Sequence, residues 1–202
     1  MPTYRSIPAS IPAGGTPKLR TYAQWPPSLA GYGHSMIIGI VGSDDRAQAI
    51  GRLLKSGGHK VAFGDPSARE RATQAASALG TEAALPYELA MSSDLLMLAV
   101  PREQVDRAVS AVGSGSEAVI VDAVEGERGT RSRSGAEVLA QKLDSHRVVR
   151  ALINIPQSGS NIPICGDDPL SKVLVDKALN SCGCITTDRG PLARATELEA
   201  PV

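Results

Sequence analysis

The chain has 202 residues, enough to bury one substantial core without disulfides or a structural metal. Its 21 basic and 21 acidic residues balance, and only one Trp, four Tyr and one Phe are present, so a nucleic-acid-binding face with stacking rings is not expected. The 42% hydrophobic fraction argues against wholesale disorder, and no apolar run reaches the roughly 18 residues of a membrane span. Three cysteines do not make a disulfide framework. These features predict a soluble, cytoplasmic protein.

The first 35 residues differ in composition from the rest of the chain. They contain six of the 14 prolines and most of the aromatic residues, namely Tyr4, Tyr22, Trp25 and Tyr32. Proline favours extended or polyproline conformations, whereas aromatic side chains are rare in disordered tails. We therefore predict that residues 1–35 form an arm that packs across a second copy in a homodimer. A disordered leader and docking of the arm on its own subunit are the alternatives.

From Met36 onward, short apolar runs alternate with segments of helical periodicity. Continuous apolar runs are typical of strands buried on both faces of a sheet. In chain order, strands are predicted at 36–41, 60–63, 95–100, 118–121, 147–150, 162–165 and 184–187. Helices are predicted at 47–55, 67–79, 101–112, 136–143 and 169–180, with a last one from Pro191. This alternation predicts that residues 36–202 form one doubly wound α/β domain with a mostly parallel sheet, a Rossmann-like fold.

The loop after the first strand carries the clearest functional signal. It reads Gly42-Ser43-Asp44-Asp45-Arg46-Ala47, at the point where a dinucleotide-binding fold has G-x-G-x-x-G/A. Gly42 and Ala47 fit the first and third positions. Asp44 replaces the second glycine, at which the backbone approaches the pyrophosphate. Because Asp44 or Asp45 can also cap the helix, the loop fits either a nucleotide site or a self-capped helix that has lost nucleotide binding.

Two further segments are predicted to contact a nucleotide. Asp65, at the end of the second strand, is expected to accept ribose hydroxyls and to repel a 2′-phosphate, which favours NAD over NADP. Arg69 and Arg71 can still reach such a phosphate, and Asp65 and Ser67 can instead serve as helix caps. After the fourth strand, the predicted contacts are Ala99, Val100 and Pro101.

Four stretches resemble those of a known family. They are Ile38-Gly-Ile-Val-Gly-Ser43, Leu98-Ala-Val-Pro-Arg-Glu-Gln104, Ile162-Pro-Ile-Cys-Gly-Asp-Asp-Pro169, and Asp188-Arg-Gly-Pro-Leu-Ala193 followed by Glu197-Leu-Glu199. In this order they are similar to the coenzyme-F420-dependent NADP reductases and to the related reductase domain of the STEAP metalloreductases. The resemblance implies a Rossmann domain, NADPH, and hydride exchange with a flavin or a deazaflavin such as F420.

The sequence departs from that family at positions that would face the cofactor. Besides Asp44, the family's Ser-Arg after the second strand is replaced around Asp65–Ser67. Its Asn-Pro is here Val124-Glu125-Gly126, and its Phe-Asn is Leu152-Ile153, with Asn154 one place late. The leading hypothesis is an NAD(P)H-dependent reductase that passes hydride to a flavin or deazaflavin-type acceptor. The alternative is a non-catalytic binding or scaffold protein that has lost tight dinucleotide binding.

Other candidate residues carry weaker signals. His34, His59 and His146 have no metal-ligand spacing, so no metal is predicted. Cys182-Gly-Cys184 is one residue short of a redox pair and is expected to be buried. The charge-rich loop 125–133 is expected to be solvated, with a lid over the cleft as the alternative. Hydride transfer needs two apposed rings rather than an acid or base, so no catalytic residue is assigned.

Overall fold

A computed structural model of the chain describes residues 35–125, 133–152 and 154–199. The predicted arm, apart from Ser35, and residues 126–132 of the charge-rich loop lie outside this range. The described strands are β1 (Ile37–Val41), β2 (Lys60–Gly64), β3 (Glu82–Ala83), β4 (Leu95–Leu98), β5 (Val119–Asp122), β6 (Val148–Arg150), β7 (Asn161–Gly166) and β8 (Ile185–Asp188). The helices are α1 (Asp45–Ser56), α2 (Arg69–Leu79), α3 (Pro86–Ser92), α4 (Val105–Val112), α5 (Gly135–Leu143), α6 (Pro169–Ser181) and α7 (Thr196–Glu199).

The strands form one sheet in the order β3-β2-β1-β4-β5-β6-β7-β8. All neighbouring pairs are parallel except β6 and β7, which run antiparallel. Successive connections run outward from β1 on one side and from β4 on the other, as in a doubly wound sheet. The predicted Rossmann-like fold with a mostly parallel sheet is confirmed.

A hydrophobic core lies on each face of the sheet. One core packs α1, α2 and α6 on the sheet through residues such as Ile50, Leu79 and Val175. The other packs α3, α4 and α5 through residues such as Leu89 and Leu139. The central strands are therefore buried on both faces, which explains their continuous apolar sequences. In the described part of the chain, no helix combines the length and the hydropathy that crossing a membrane would need.

The structure differs from the sequence prediction in several places. β3 and α3 were not predicted, because two and seven residues are too few to establish a periodicity. The segment from Pro101 begins as a 3-10 turn at Arg102–Gln104 before α4 starts at Val105. Similarly, Pro191 leads into a 3-10 turn at Leu192–Ala195 that continues as α7.

Candidate functional site

A cleft of about 320 Å³ lies at the carboxyl ends of β1, β2 and β4. β1 and β4 are neighbours, yet the chain leaves them in opposite directions along the sheet. The crevice at such a switch point is where open α/β sheets bind their ligands. The residues that line it are Gly42, Ser43, Asp44, Gln48, Asp65, Arg71, Gln74, Ala75, Val100, Pro101 and Gln104.

Gly42 closes the turn between β1 and α1. Its N–H donates to the carbonyl of Gly64 at 2.8 Å, and its φ is 137°. A Cβ atom at this position would lie 2.0 Å from the carbonyl oxygen of Ala99. Only glycine satisfies both the dihedral angle and the close approach, so the first motif position has the role predicted for it.

Asp44 caps α1. Its Oδ1 accepts a hydrogen bond from the N–H of Ala47 at 2.8 Å, and its backbone is extended, with φ −71° and ψ 177°. Its side chain is exposed, whereas Ala47 is fully buried in the hydrophobic core. The carboxylate thus uses an N–H group that a phosphate at this helix terminus would also use. This is the self-capped arrangement that the sequence offered as one alternative.

Asp65 ties the ends of β1 and β2 together. Its Oδ2 accepts from the Ser43 hydroxyl at 2.5 Å, and its Oδ1 accepts from the N–H groups of Ser67 and Ala68 at 2.8 and 2.9 Å. These bonds order the turn before α2, which begins at Arg69 instead of the predicted Ser67. The Ser67 hydroxyl in turn accepts from Nη1 of Arg107 at 2.9 Å. Asp65 therefore holds the turn that precedes α2 rather than capping the helix, whose N-cap is Ala68, and it also lines the cleft.

A buried group of charges lies beside the cleft, at the carboxyl ends of β5 and β6. Asp122 and Arg150 are paired across these strands, 3.1 Å apart and both fully buried. Arg46, in the first turn of α1, reaches the same region. Its Nη2 donates to the carbonyl of Leu152, and its Nε lies 3.3 Å from Oε1 of Glu125. Burial lowers the pKa of Arg46, and the Glu125 carboxylate partly offsets that effect.

The three cysteines are buried and free. Burial raises the pKa of the Cys165 thiol to about 11, and it also raises the pKa of Cys182 and of Cys184. Thiols in such surroundings are poor nucleophiles. Among the residues that the structure describes, no group of three or more His, Cys, Asp or Glu side chains is placed to hold a metal ion.

The structure brings together six of the predicted site residues. Gly42, Ser43, Asp44, Asp65, Val100 and Pro101 line the cleft. Five others do not line it. Asp45 and Ser67 are exposed, Ala47 and Ala99 are in the core, and Arg46 reaches the residues that follow β5 and β6.

Five lining residues were not included in the predicted site. Arg71, Gln74 and Ala75 of α2 are spaced i, i+3 and i+4, which places them on one helical face. Gln48 lies one turn beyond Asp44 on α1, and Gln104 ends the 3-10 turn after β4. Arg71 had been named from the sequence as able to reach a 2′-phosphate, and helical spacing from it would have identified Gln74 and Ala75. Spacing from Asp44 would likewise have identified Gln48. Gln104 ends the stretch 98–104 that carries part of the family resemblance, and that resemblance was its sequence signal.

These features define a class of protein: a Rossmann-like domain with a ligand cleft at its topological switch point. Residues 37–126 match the family model described as NADP oxidoreductase, coenzyme F420-dependent. Metalloreductase STEAP3 from Rattus norvegicus is 29% identical over 175 residues, which are 81% of this chain and 36% of that protein. The chain thus spans about a third of the length of this curated relative. The resemblance to this family that the sequence predicted is confirmed.

Solved structures share the fold. A putative F420-dependent NADP-reductase from Arthrobacter superimposes with a TM-score of 0.68 at 20% identity, covering 82% of this chain and 89% of that one. A hypothetical protein from Sinorhizobium meliloti gives a TM-score of 0.71 at 15% identity, covering 83% and 90%. At these identities the two solved structures show a shared Rossmann-like fold.

Proposed function

We propose that this chain is an NAD(P)H-dependent reductase that passes hydride to a flavin or deazaflavin-type acceptor. The proposal rests on the cleft at the amino end of α1. Gly42 lines this cleft, and its backbone lies so close to the carbonyl of Ala99 that no larger residue fits. Helix amino ends bind phosphate through their N–H groups and the helix dipole. The match of residues 37–126 to the F420-dependent NADP oxidoreductase family supports the same reaction class.

The lining residues of the cleft suit different parts of a dinucleotide. In this proposal the diphosphate would lie against the turn formed by Gly42, Ser43 and Asp44, and the adenosine ribose would lie near Asp65 and Arg71. When bound, the reduced nicotinamide would supply the hydride. The part of the protein is to hold and orient the two rings and to exclude water, and this needs no side-chain acid or base.

The choice between NADH and NADPH depends on opposing charges. The carboxylate of Asp65 repels a 2′-phosphate, whereas Arg71 on the same cleft wall and Arg107 at Ser67 attract one. The Asp65 carboxylate lies closer to the ends of β1 and β2 than either arginine does. We therefore expect its repulsion of the 2′-phosphate to prevail and to give a modest preference for NADH. Arg71→Gln should then weaken NADPH binding more than NADH binding.

Calorimetric titration with NADH and NADPH, followed by each flavin and by F420, tests the proposal. We expect saturable binding of a reduced dinucleotide. Once the correct acceptor is added, the dinucleotide should be oxidised, and the loss of the reduced nicotinamide absorbance measures that oxidation. Absence of both heat and thermal stabilisation at millimolar nucleotide would reject the reductase.

The second candidate function is a non-catalytic binding or scaffold protein. The hydrogen bond from Ala47 to Asp44 favours it, because the cap satisfies a donor that a phosphate would otherwise use. Retained fold and stability without any response to dinucleotides would support this candidate over the reductase.

We further propose that the protein is a cytoplasmic homodimer held by residues 1–35. The proposal rests on composition: a large aromatic side chain can bury about 150–250 Å², so Tyr4, Tyr22, Trp25 and Tyr32 can supply much of a standard interface. Light scattering of the full chain and of a chain lacking residues 1–35 tests it. A full-length monomer at micromolar concentration would refute the dimer, and a stable dimer of the shortened chain would refute the role of the arm.

A further inference from the structure

Both oxygens of the Asp65 carboxylate already accept hydrogen bonds from the protein. Oδ1 accepts from the backbone N–H groups of Ser67 and Ala68, and Oδ2 accepts from the hydroxyl of Ser43. A carboxylate offers about four acceptor positions, so these three bonds leave one position, and it is on Oδ2. A ligand hydroxyl that binds Asp65 must therefore share Oδ2 with Ser43 or replace it.

Ser43 is held in place from two sides. Its hydroxyl lies 2.5 Å from Oδ2 of Asp65, a distance typical of a charge-assisted hydrogen bond. Its carbonyl accepts from Nε2 of Gln48, one turn into α1, at 3.1 Å. All three residues line the cleft, and Ser43 and Asp65 are only half-buried. The bond between Ser43 and Asp65 is therefore part of the cleft wall.

We propose that Ser43 is a positioning residue that sets the specificity of the cleft, because its hydroxyl competes with the 2′-hydroxyl of a bound adenosine for Oδ2 of Asp65. This inference rests on the proposed dinucleotide binding. An acid at this place in the fold accepts the ribose 2′-hydroxyl of NAD. Here a bond from ribose to Asp65 weakens or replaces one that Asp65 already accepts, so a free 2′-hydroxyl adds little to the affinity.

Calorimetric titration of the full chain with ADP and with 2′-deoxyADP tests the proposal, because the two ligands differ by this one hydroxyl. In the wild type, ADP should bind less than about threefold more tightly than 2′-deoxyADP. In Ser43→Ala, the ratio of the two affinities should rise about tenfold, through the ADP affinity, since a hydrogen bond to a charged group contributes about that factor or more. Ser56→Ala is the matched control: it removes an exposed hydroxyl at the far end of α1 and should leave the ratio unchanged.

A variant of Asp65 shows whether Ser43 acts through this carboxylate. In Asp65→Asn, the amide can still accept from the N–H groups of Ser67 and Ala68 and can donate to the Ser43 oxygen, so the turn should keep its structure. A neutral amide binds a hydroxyl more weakly than a carboxylate does. Adding Ser43→Ala to Asp65→Asn should therefore raise the ratio no more than about threefold. A tenfold rise in this double variant would overturn the inference.

The remaining outcomes separate this inference from the proposed function. If both ligands bind but the ratio in Ser43→Ala stays as in the wild type, or both affinities fall equally, Ser43 has a structural role only and the reductase proposal stands. A lower ratio would make Ser43 a direct ligand of the ribose, and the inference would be wrong. If no protein binds ADP, 2′-deoxyADP or NADH, both proposals fail. Ser43→Cys keeps the size of the side chain with a weaker donor, so it should raise the ratio about threefold and provides the test if Ser43→Ala does not fold.

Discussion

Removing the charge of Asp44 should tighten dinucleotide binding. Two unit charges about 4 Å apart interact by about 4 kcal/mol near a protein surface and by about 1 kcal/mol in water. Because the Asp44 side chain is exposed, the lower value applies, and Asp44→Asn should gain about 1 kcal/mol, or roughly fivefold in affinity. Asparagine caps helices as well as aspartate does, so this variant changes the charge and keeps the hydrogen bond to Ala47.

Asp44→Gly removes the cap as well as the charge. It frees the N–H of Ala47 for the phosphate, which adds about 1 kcal/mol, so the total gain is about 2 kcal/mol, or roughly thirtyfold. Its stability should fall by only a few tenths of a kcal/mol, because glycine is a tolerable cap. Titration calorimetry with NADH on the three proteins, with urea unfolding as the stability control, measures both effects. Equal affinities in all three would refute the reasoning, and a gain in Asp44→Gly alone would assign the effect to the N–H rather than to charge.

Three further predictions concern the framework of the domain. Gly42→Ala should lower the free energy of unfolding in urea by more than about 3 kcal/mol, because its Cβ would meet the Ala99 carbonyl. Gly58→Ala is the control: Gly58 has a φ of 86° but open space around it, so the loss should be about 1–2 kcal/mol. Asp168 caps α6; partial burial acts to raise its pKa, but hydrogen bonds from Ser171 and the first N–H groups of the helix hold it below the ordinary value. Asp168→Ala should therefore cost about 1 kcal/mol at pH 7, and the difference from wild type should vanish as the pH falls from about 4 through the folded pKa. Cys165 and the other two thiols should resist alkylation at pH 8 in the folded protein and react after unfolding, as followed by mass spectrometry; rapid labelling of the native protein would contradict their burial.

The central architecture was predictable because its signals are local. β1, β4 and β5 are buried on both faces, so their apolar residues form unbroken runs in the sequence. Gly42 was recognisable because a turn of this kind requires glycine at a fixed place after a strand. The antiparallel pairing of β7 with β6 was not specified by sequence, because a strand of either direction has the same apolar pattern.

The site was less predictable because its decisive contacts are long-range. In the sequence, Arg46 occupies a variable position of the nucleotide-binding motif. In the structure its guanidinium contacts Glu125 and the carbonyl of Leu152, which follow strands distant in the chain. Asp65 likewise resembles a ribose ligand in the sequence, yet its oxygens accept from the Ser43 hydroxyl and from the two backbone N–H groups just before α2. Residue type gave the chemistry available at each position, and tertiary packing decided how it was used.

The structure of the protein in complex with NADH or NADPH tests the central claim most directly. We expect the diphosphate to lie at the amino end of α1, beside Ser43 and Asp44, with the adenosine ribose near Asp65 and Arg71. A dinucleotide bound elsewhere on the domain, or none bound at millimolar concentration, would contradict it.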